Sequence, residues 1–230
     1  RLSEDQQTSV CLLEAGGPDN SVFVRAPLGF AATASLNLNS WGYNTVPQAG
    51  FNGRKGFQPR GKVMGGSSSI NAMVYTRGNA RDYDSWAALG NPGWSFQDVL
   101  PYFKKSENNE CFGATDYRGV GGPLNVSFLR SPSPLNQLFM KACNEQGIPS
   151  NPDYNGAQQF GVSPGQVTQK GGERWNAARA YLDPHRHQSN LNVISHAHAT
   201  QIMFEGKRAA GIKYKVNGVD HEVRARKEVI

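Results

Sequence analysis

The sequence predicts a mixed α/β fold, because strand and helix patterns occur along the same chain. Val10–Leu13 is a short, continuous apolar run, which is typical of a parallel strand covered on both faces. Residues 134–143 place apolar side chains at helical spacing. From residue 191 onward, short β-rich segments alternate with turns, and Asn217-Gly218 is a strong hairpin signal. We therefore predict a β-meander in the last part of the chain.

Composition limits the classes of protein to consider. The chain has 230 residues, a formal charge of +6 and a pI of about 9.3. Its lysines and arginines are scattered rather than gathered into a stripe, so we predict no nucleic-acid partner. No apolar stretch reaches the ~18 residues that suggest a membrane span. We expect a cytoplasmic location, with peripheral association with the inner membrane as the alternative.

The cysteines and histidines predict no metal site. The three cysteines have neither a C-x-x-C pair nor metal-like spacing, and Cys11 is expected to be a small core residue. His196 and His198 alternate along a possible strand, but no carboxylate or thiolate lies near them in sequence. His185 and His187 lie in a polar segment, which favours a solvated loop. No histidine of the chain is assigned as a catalytic base.

Glu14 follows the first predicted strand directly and is a candidate nucleotide ligand. An acid at this place in a dinucleotide-binding fold accepts hydrogen bonds from ribose hydroxyls. The alternative interpretation is a solvent-facing strand end. The partner motif, Gly-x-Gly-x-x-Gly, is expected roughly 20 residues upstream, which falls before Arg1. On this interpretation, residues 1–5 would close the first helix.

A glycine- and serine-rich bend, residues 59–71, is the most informative motif. Adjacent Gly65 and Gly66 allow backbone N–H groups to approach a ligand closely and to adopt positive φ. The three serine hydroxyls that follow, with consecutive N–H donors, are suited to phosphate oxygens. A polar surface loop is the alternative. The apolar residues 72–75 that come next favour a bend packed inside.

These motifs together resemble the glucose–methanol–choline (GMC) oxidoreductases, in particular the bacterial choline and alcohol dehydrogenase branch. The resemblance rests on Leu-Leu-Glu-Ala-Gly at residues 12–16 and on Pro-Arg-Gly-Lys-x-Met-Gly-Gly-Ser-Ser-Ser-Ile-Asn-Ala-Met-Val-Tyr from residue 59. Asp-Tyr-Asp-x-Trp at 82–86 and Asn-Pro-Gly-Trp-Ser at 91–95 support it. It implies a partial, Rossmann-like FAD-binding domain with a β-meander, joined to part of a substrate-binding domain.

The resemblance also implies roles for individual residues. Glu14 would bind the adenosine ribose, Trp41 would lie on the flavin side, and main-chain atoms of Ala199 would hold adenine. The pyrophosphate and ribityl region would be lined by Gly61, Gly66, Ser67, Ser68 and Ser69, and the isoalloxazine ring by Asn71, Ala72, Met73 and Val74. Some family members attach FAD to a histidine at the position of Ile70. Isoleucine cannot form that bond, so we expect non-covalent FAD.

The resemblance implies the domain boundaries and the reaction as well. Residues 1–120 and 188–230 would belong to the FAD-binding domain and residues 121–187 to the substrate-binding domain. The enzyme would oxidise the CH–OH group of an alcohol, choline or another primary alcohol, and pass electrons to an acceptor such as a quinone. The catalytic histidine would lie beyond Ile230, in segments that would act as partners of this chain, so the chain alone would be inactive. An oxygen-using oxidase and a truncated, non-catalytic binding module are the alternatives.

Two further elements are predicted in the second half. Residues 174–182 are expected to form a helix that stops before Pro184, and residues 161–169 a strand. For the helix at 134–143, Ser133 is the expected N-cap, and Gly147 lies beyond its end.

Overall fold

The computed structural model describes all 230 residues. Its helical elements are the α-helices α1 (Val22–Arg25), α2 (Gly29–Ser35), α3 (Ala80–Ala88), α4 (Phe96–Ser106) and α5 (Pro134–Glu145), the 3₁₀ helices Ala49–Phe51, Gly66–Ser69 and Asp183–His185, and the π-helix Ala178–Leu182. No helix combines the length and the apolar character needed to cross a bilayer. The capped helix expected at 134–143 is confirmed as α5, where the Ser133 hydroxyl accepts a hydrogen bond from Leu135 N.

Twelve strands form small sheets. They are β1 (Val10–Leu13), β2 (Tyr43–Asn44), β3 (Phe57–Gln58), β4 (Glu107–Asn109), β5 (Leu124–Phe128), β6 (Gln166–Val167), β7 (Gln169–Lys170), β8 (Glu173–Arg174), β9 (Leu191–Ile194), β10 (Ala197–Glu205), β11 (Arg208–Val216) and β12 (Val219–Arg224). The predicted first strand is confirmed as β1, which pairs in parallel with β9. The predicted meander is confirmed as the antiparallel order β10-β11-β12.

The hairpin between β11 and β12 has the turn that its sequence predicts. Asn217 and Gly218 have φ values of 49° and 83°. Positive φ at both central residues is the type I′ requirement, and this turn matches the right-handed twist of the strands.

The chain folds into two compact units. Unit 1 comprises residues 1–71 and 177–230, and unit 2 comprises residues 72–176. The boundaries expected at 120 and 187 do not coincide with this division. The assignment of the parts to FAD-binding and substrate-binding domains stays a prediction.

In unit 1, the core includes the glycine- and serine-rich bend. Met64 of the bend, Ala178 and Leu182 are buried together, and Leu12 of β1 and Leu191 of β9 pack against them. The bend is therefore fixed to the parallel strand pair by apolar contacts. The expectation that Cys11 is a core residue is wrong, because this side chain is exposed on β1.

Unit 2 is organised around buried charges. Glu107 Oε2 lies 2.7 Å from Arg77 Nη2, and Glu107 Oε1 lies 3.2 Å from Arg118 Nη2. Arg118 Nε lies 3.6 Å from Asp153 Oδ2, and its guanidinium also donates to the Gln166 side chain. Glu107 and Arg118 are completely buried, so this balanced set of two cations and two anions replaces part of an apolar core.

Three local expectations differ from the structure. Residues 1–9 form turns rather than the end of a helix. Arg174 belongs to strand β8, and the helix begins only at Ala178, as a π-helix. The strand expected at 161–169 is reduced to β6 and β7. Tertiary pairing of these short segments overrides their local propensity.

Candidate functional site

The glycine- and serine-rich bend is packed against the end of β1. Val63 and Gly17 form an isolated parallel bridge, and Met64 N donates to Gly17 O at 2.8 Å. Val63 and Ser69 are both completely buried. The alternative of a polar surface loop is therefore wrong, and the bend lies beside the segment that carries Glu14.

Close backbone contacts explain two of the glycines. A Cβ placed on Gly16 would lie 2.0 Å from Lys62 O, and one on Gly61 would lie 2.2 Å from Gly66 O. Real Cβ atoms do not approach carbonyl oxygens this closely, so any side chain here would force the two segments apart. Gly65 and Gly66, with φ values of 87° and 58°, turn the chain through a conformation that other residues rarely adopt.

The serine hydroxyls hold the bend together. Ser67 Oγ accepts from Gly61 N at 3.1 Å, Ser68 Oγ donates to Gly65 O at 2.6 Å, and Ser69 Oγ donates to Met64 O at 2.7 Å. These contacts fix the three side chains within the bend, and their role in lining the pyrophosphate and ribityl region stays a prediction. The N–H groups of Gly65 and Ser67 make no hydrogen bond within the chain and remain available as donors.

Glu14 has one carboxylate oxygen committed and one available. Oε1 accepts from Gly16 N at 2.7 Å, which orients the half-buried side chain at the end of β1. Oε2 has no hydrogen-bond partner in the chain. The backbone of Glu14 joins both neighbouring strands: its N–H donates to Ile194 O and its carbonyl accepts from Ala197 N.

Trp41 lies against the strand that carries Ala199. Its ring contacts the His198 imidazole with a centroid distance of 5.2 Å, and Lys62 Nζ lies 4.6 Å from its centroid. Ala199 itself is exposed on β10, paired with Tyr214 of β11. Trp41 therefore lies beside the strand that carries Ala199, and its place on the flavin side of the cofactor stays a prediction.

His196 is a site residue that the sequence interpretation did not assign. It has a positive φ of 54°, donates its N–H to Gly16 O at 2.9 Å, and places its ring so that a Cβ on Gly17 would lie 2.9 Å from Cε1. The signal that could have found this contact is the glycine pair Gly16-Gly17, which follows Glu14 and Ala15. Two adjacent glycines after a strand indicate that other chain segments approach closely.

Residues 72–74 of the predicted flavin-binding set belong to unit 2, whereas Asn71 is exposed at the end of unit 1. Met73 is only 3% exposed, and Val74 is 63% exposed. The φ of Met73 is 62°, a left-handed conformation that costs an L-residue roughly 1–2 kcal/mol. Ile70, at the position of the family's covalent histidine, ends the 3₁₀ helix of the bend.

Two other features carry no cofactor assignment. No group of three histidine, cysteine or acidic side chains could hold a metal ion. An open groove of about 520 Å³ in unit 2 is lined by residues that include Arg77, Tyr117 and Tyr154, but by none of the predicted site residues.

An acidic residue at the end of a parallel strand, as Glu14 is at the end of β1, is a feature of dinucleotide-binding α/β proteins. The sequence model described as GMC oxidoreductase matches residues 9–230. The chain belongs to the GMC oxidoreductase family.

Curated relatives match along the whole chain. The chain is 43% identical over 224 residues to the alcohol dehydrogenase [acceptor] of Pseudomonas putida, covering 97% of this chain and 41% of that protein. It is 42% identical over 230 residues to the oxygen-dependent choline dehydrogenase of Brucella anthropi, covering 100% and 42%. The chain thus spans about two fifths of the length of these relatives.

Solved structures share the fold. A pyridoxine 4-oxidase from Mesorbium loti aligns with a TM-score of 0.90 at 30% identity, covering 97% of this chain and 44% of that one. An FAD-dependent oxidoreductase from Chaetomium thermophilum aligns with a TM-score of 0.89 at 34% identity, covering 98% and 41%. The mixed α/β fold class predicted from the sequence is confirmed by these likenesses.

Proposed function

We propose that the chain forms the FAD-binding part of an enzyme that oxidises the CH–OH group of an alcohol. The observation that carries this proposal is the buried bend, which is bridged through Val63 to Gly17 and so lies beside Glu14. Family membership supports the same reaction class. The whole enzyme's substrate and electron acceptor are proposed here from the names of its relatives.

The residues present fit FAD. Glu14 Oε2 is a free acceptor of the kind that a ribose hydroxyl requires. The free N–H groups of Gly65 and Ser67 are donors of the kind that pyrophosphate oxygens require. No atom lies within 4 Å of a Cβ built on Gly66, so the bend is open on that side.

When bound, FAD would supply the acceptor for the hydride that the alcohol carbon loses. The chain's own residues would bind and orient the cofactor, with main-chain donors near residues 71–74 favouring the electron-rich, reduced ring. Loss of the hydroxyl proton requires an acceptor group. No side chain of these 230 residues is assigned to that task.

We propose choline or another primary alcohol as the substrate, and a non-oxygen acceptor such as a quinone. The alternative, an oxidase that uses oxygen, draws support from similar proteins whose names specify oxygen or an oxidase. Hydrogen peroxide produced during turnover distinguishes the oxidase from the dehydrogenase. We keep a cytoplasmic location as a sequence-based prediction that cell fractionation checks.

Binding of FAD tests the proposal directly. In the protein that carries this chain, we expect a flavin absorbance spectrum that Glu14→Gln weakens, raising the Kd for FAD about tenfold or more. The reason is that the amide loses the charge that strengthens hydrogen bonds from hydroxyls, worth about 1.5–3 kcal/mol. Glu228→Gln removes an exposed carboxylate and is the matched control. A wild-type protein that takes up no FAD would refute the proposal and favour the non-catalytic module.

Ile70 predicts that the cofactor dissociates. Acid precipitation of the FAD-loaded protein should release all of the yellow colour into the supernatant, because isoleucine has no atom that can bond to the ring. Colour retained in the washed pellet would show a covalent bond elsewhere in the protein and contradict this prediction.

A further inference from the structure

Met73 has a backbone conformation that its side chain does not favour. The other non-glycine residues with positive φ are four asparagines and one histidine: Asn37, Asn39, Asn52, Asn217 and His196. Asparagine and histidine are enriched in this region of conformational space, whereas an unbranched aliphatic side chain is not. Such a conformation persists only when the surrounding structure imposes it, and it is frequent at ligand-binding sites.

The imposing contacts come from residues 166–169. Thr168 N donates to Met73 O at 2.9 Å, and Thr168 Oγ1 approaches the same carbonyl at 3.4 Å. Gln169 Nε2 donates to Met73 Sδ at 3.6 Å. Thr168 therefore holds the Met73 carbonyl, and the next residue, Gln169, holds the Met73 thioether.

Gln169 is itself fixed within unit 2. It is only 5% exposed, and its carbonyl accepts from Asn125 Nδ2 at 2.7 Å and from Ser127 Oγ at 3.3 Å. A thioether is a weak acceptor for an amide donor. The hydrogen bond from Gln169 to the methionine sulfur therefore adds little to stability, but it fixes the position of the Met73 side chain.

Val74, the residue after Met73, has a backbone N–H and C=O that are not paired within the chain. Val74 and Val167 face each other in an antiparallel bridge whose hydrogen bonds are made by their neighbours, Thr168 N to Met73 O and Tyr75 N to Gln166 O. In such a pair, the N–H and C=O of the central residue point away from the partner strand. Neither group of Val74 makes a hydrogen bond within the chain, and this residue is 63% exposed.

We propose that Thr168 and Gln169 are positioning residues for the flavin. They hold Met73 in the left-handed conformation and thereby present the Val74 N–H as a donor to the ring system. This inference rests on the proposed FAD function and goes beyond it, because residues distant in sequence from the glycine motif would tune cofactor affinity and potential.

The experiment is a double-mutant cycle in the protein that carries this chain, loaded with FAD. Gln169→Leu removes the donor to Met73 Sδ. Met73→Gly removes the conformational cost, because glycine adopts positive φ readily. Gln159→Leu makes the same chemical change in unit 2 outside these contacts and is the control. The readouts are the Kd for FAD, the midpoint potential of the bound flavin, and hydrogen exchange of the FAD-free protein over residues 73–76.

The expected result is a pattern across the variants. Gln169→Leu should raise the Kd for FAD about fivefold, make the midpoint potential more negative, and speed exchange of the Tyr75 amide. A displaced N–H donor stabilises the reduced ring less, which accounts for the shift in potential. In the Met73→Gly background, Gln169→Leu should change the Kd for FAD by less than twofold. It should also leave the midpoint potential close to that of Met73→Gly alone. Gln159→Leu should resemble the wild type.

Three outcomes would overturn the inference. If the wild type binds FAD and Gln169→Leu keeps its Kd and potential, the contact is merely structural, even where thermal stability falls. Equal effects of Gln169→Leu in both backgrounds would show that it does not act through Met73. If the wild type binds no FAD, the proposed function and the inference both fail. FAD binding by the wild type therefore distinguishes failure of the proposed function from failure of the inference alone.

Discussion

The bend of unit 1 and the buried centre of unit 2 are held by different kinds of contact. In unit 1, the bend at residues 59–71 is held by backbone contacts so close that Gly16 and Gly61 cannot carry a side chain. In unit 2, the buried centre is an ion cluster around Glu107. The bend should therefore be sensitive to the addition of a single methyl group at Gly16 or Gly61, and the ion cluster to the removal of a single charge.

The largest effect on stability is expected in unit 2. Glu107→Gln leaves the guanidinium groups of Arg77 and Arg118 without their shared carboxylate, and removing one member of a buried ion pair costs about 3–5 kcal/mol. Hydrogen exchange over β4 and β5 measures the loss. Glu145→Gln is the control, because the Lys141–Glu145 pair on α5 is exposed and worth ~1 kcal/mol at most. Equal protection in Glu107→Gln and wild type would contradict the role given to the cluster.

A smaller but more local effect is expected in unit 1. Gly16→Ala would place its Cβ 2.0 Å from Lys62 O, so the bend must move away from the end of β1. We expect the Kd for FAD to rise more than tenfold, measured by flavin fluorescence titration. Gly50→Ala adds the same methyl group where no atom lies within 4 Å, and should leave the Kd unchanged. Unaltered affinity in Gly16→Ala would show that the close contact is not needed for binding.

The smallest effect concerns pH. Burial raises the pKa of the Cys111 thiol in unit 2 to about 11, from an ordinary value of 9.0. Because the folded state holds the proton more tightly, this contribution to stability is complete below pH 9 and is lost as the pH rises through 11. Burial also raises the pKa of Tyr75 and of Tyr154, which adds a loss of the same sign at higher pH.

Melting temperatures recorded from pH 7 to pH 11 measure this dependence. Cys111→Ala should flatten the decline above pH 9, whereas Cys143→Ala removes a thiol from α5 and serves as the comparison. A decline of identical slope in Cys111→Ala and wild type would exclude the thiol as its source.

The sequence predicted best where the signal is local. The apolar run of β1, the cap of α5 at Ser133 and the turn at Asn217-Gly218 each depend on a few adjacent residues, and all three are confirmed. The glycine motif predicted a packed bend for the same reason. It did not predict that the serine hydroxyls bond within the bend, since their partners depend on how the chain turns.

Features built from distant residues could not be predicted in this way. The ion cluster joins Arg77, Glu107, Arg118 and Asp153, and no pattern in sequence marks these residues among the scattered charges. The contacts that hold Met73 depend on pairing with residues 166–169, where the sequence predicts one longer strand and the structure has the short strands β6 and β7. The π-helix at Ala178–Leu182 likewise reads as an ordinary helical pattern until its tertiary contacts are known.

The parallel pairing of β1 with β9 has a consequence for biosynthesis. Val10 pairs with Leu191, so the first strand leaves the ribosome long before its partner exists. At about 5–20 residues per second, that delay is roughly 10–40 s. Unit 2 is continuous in sequence and is complete by residue 176, so it can fold before β9, the partner of β1, has been synthesised. Throughout that interval, β1 lacks the backbone hydrogen-bond partner that β9 supplies in the folded chain.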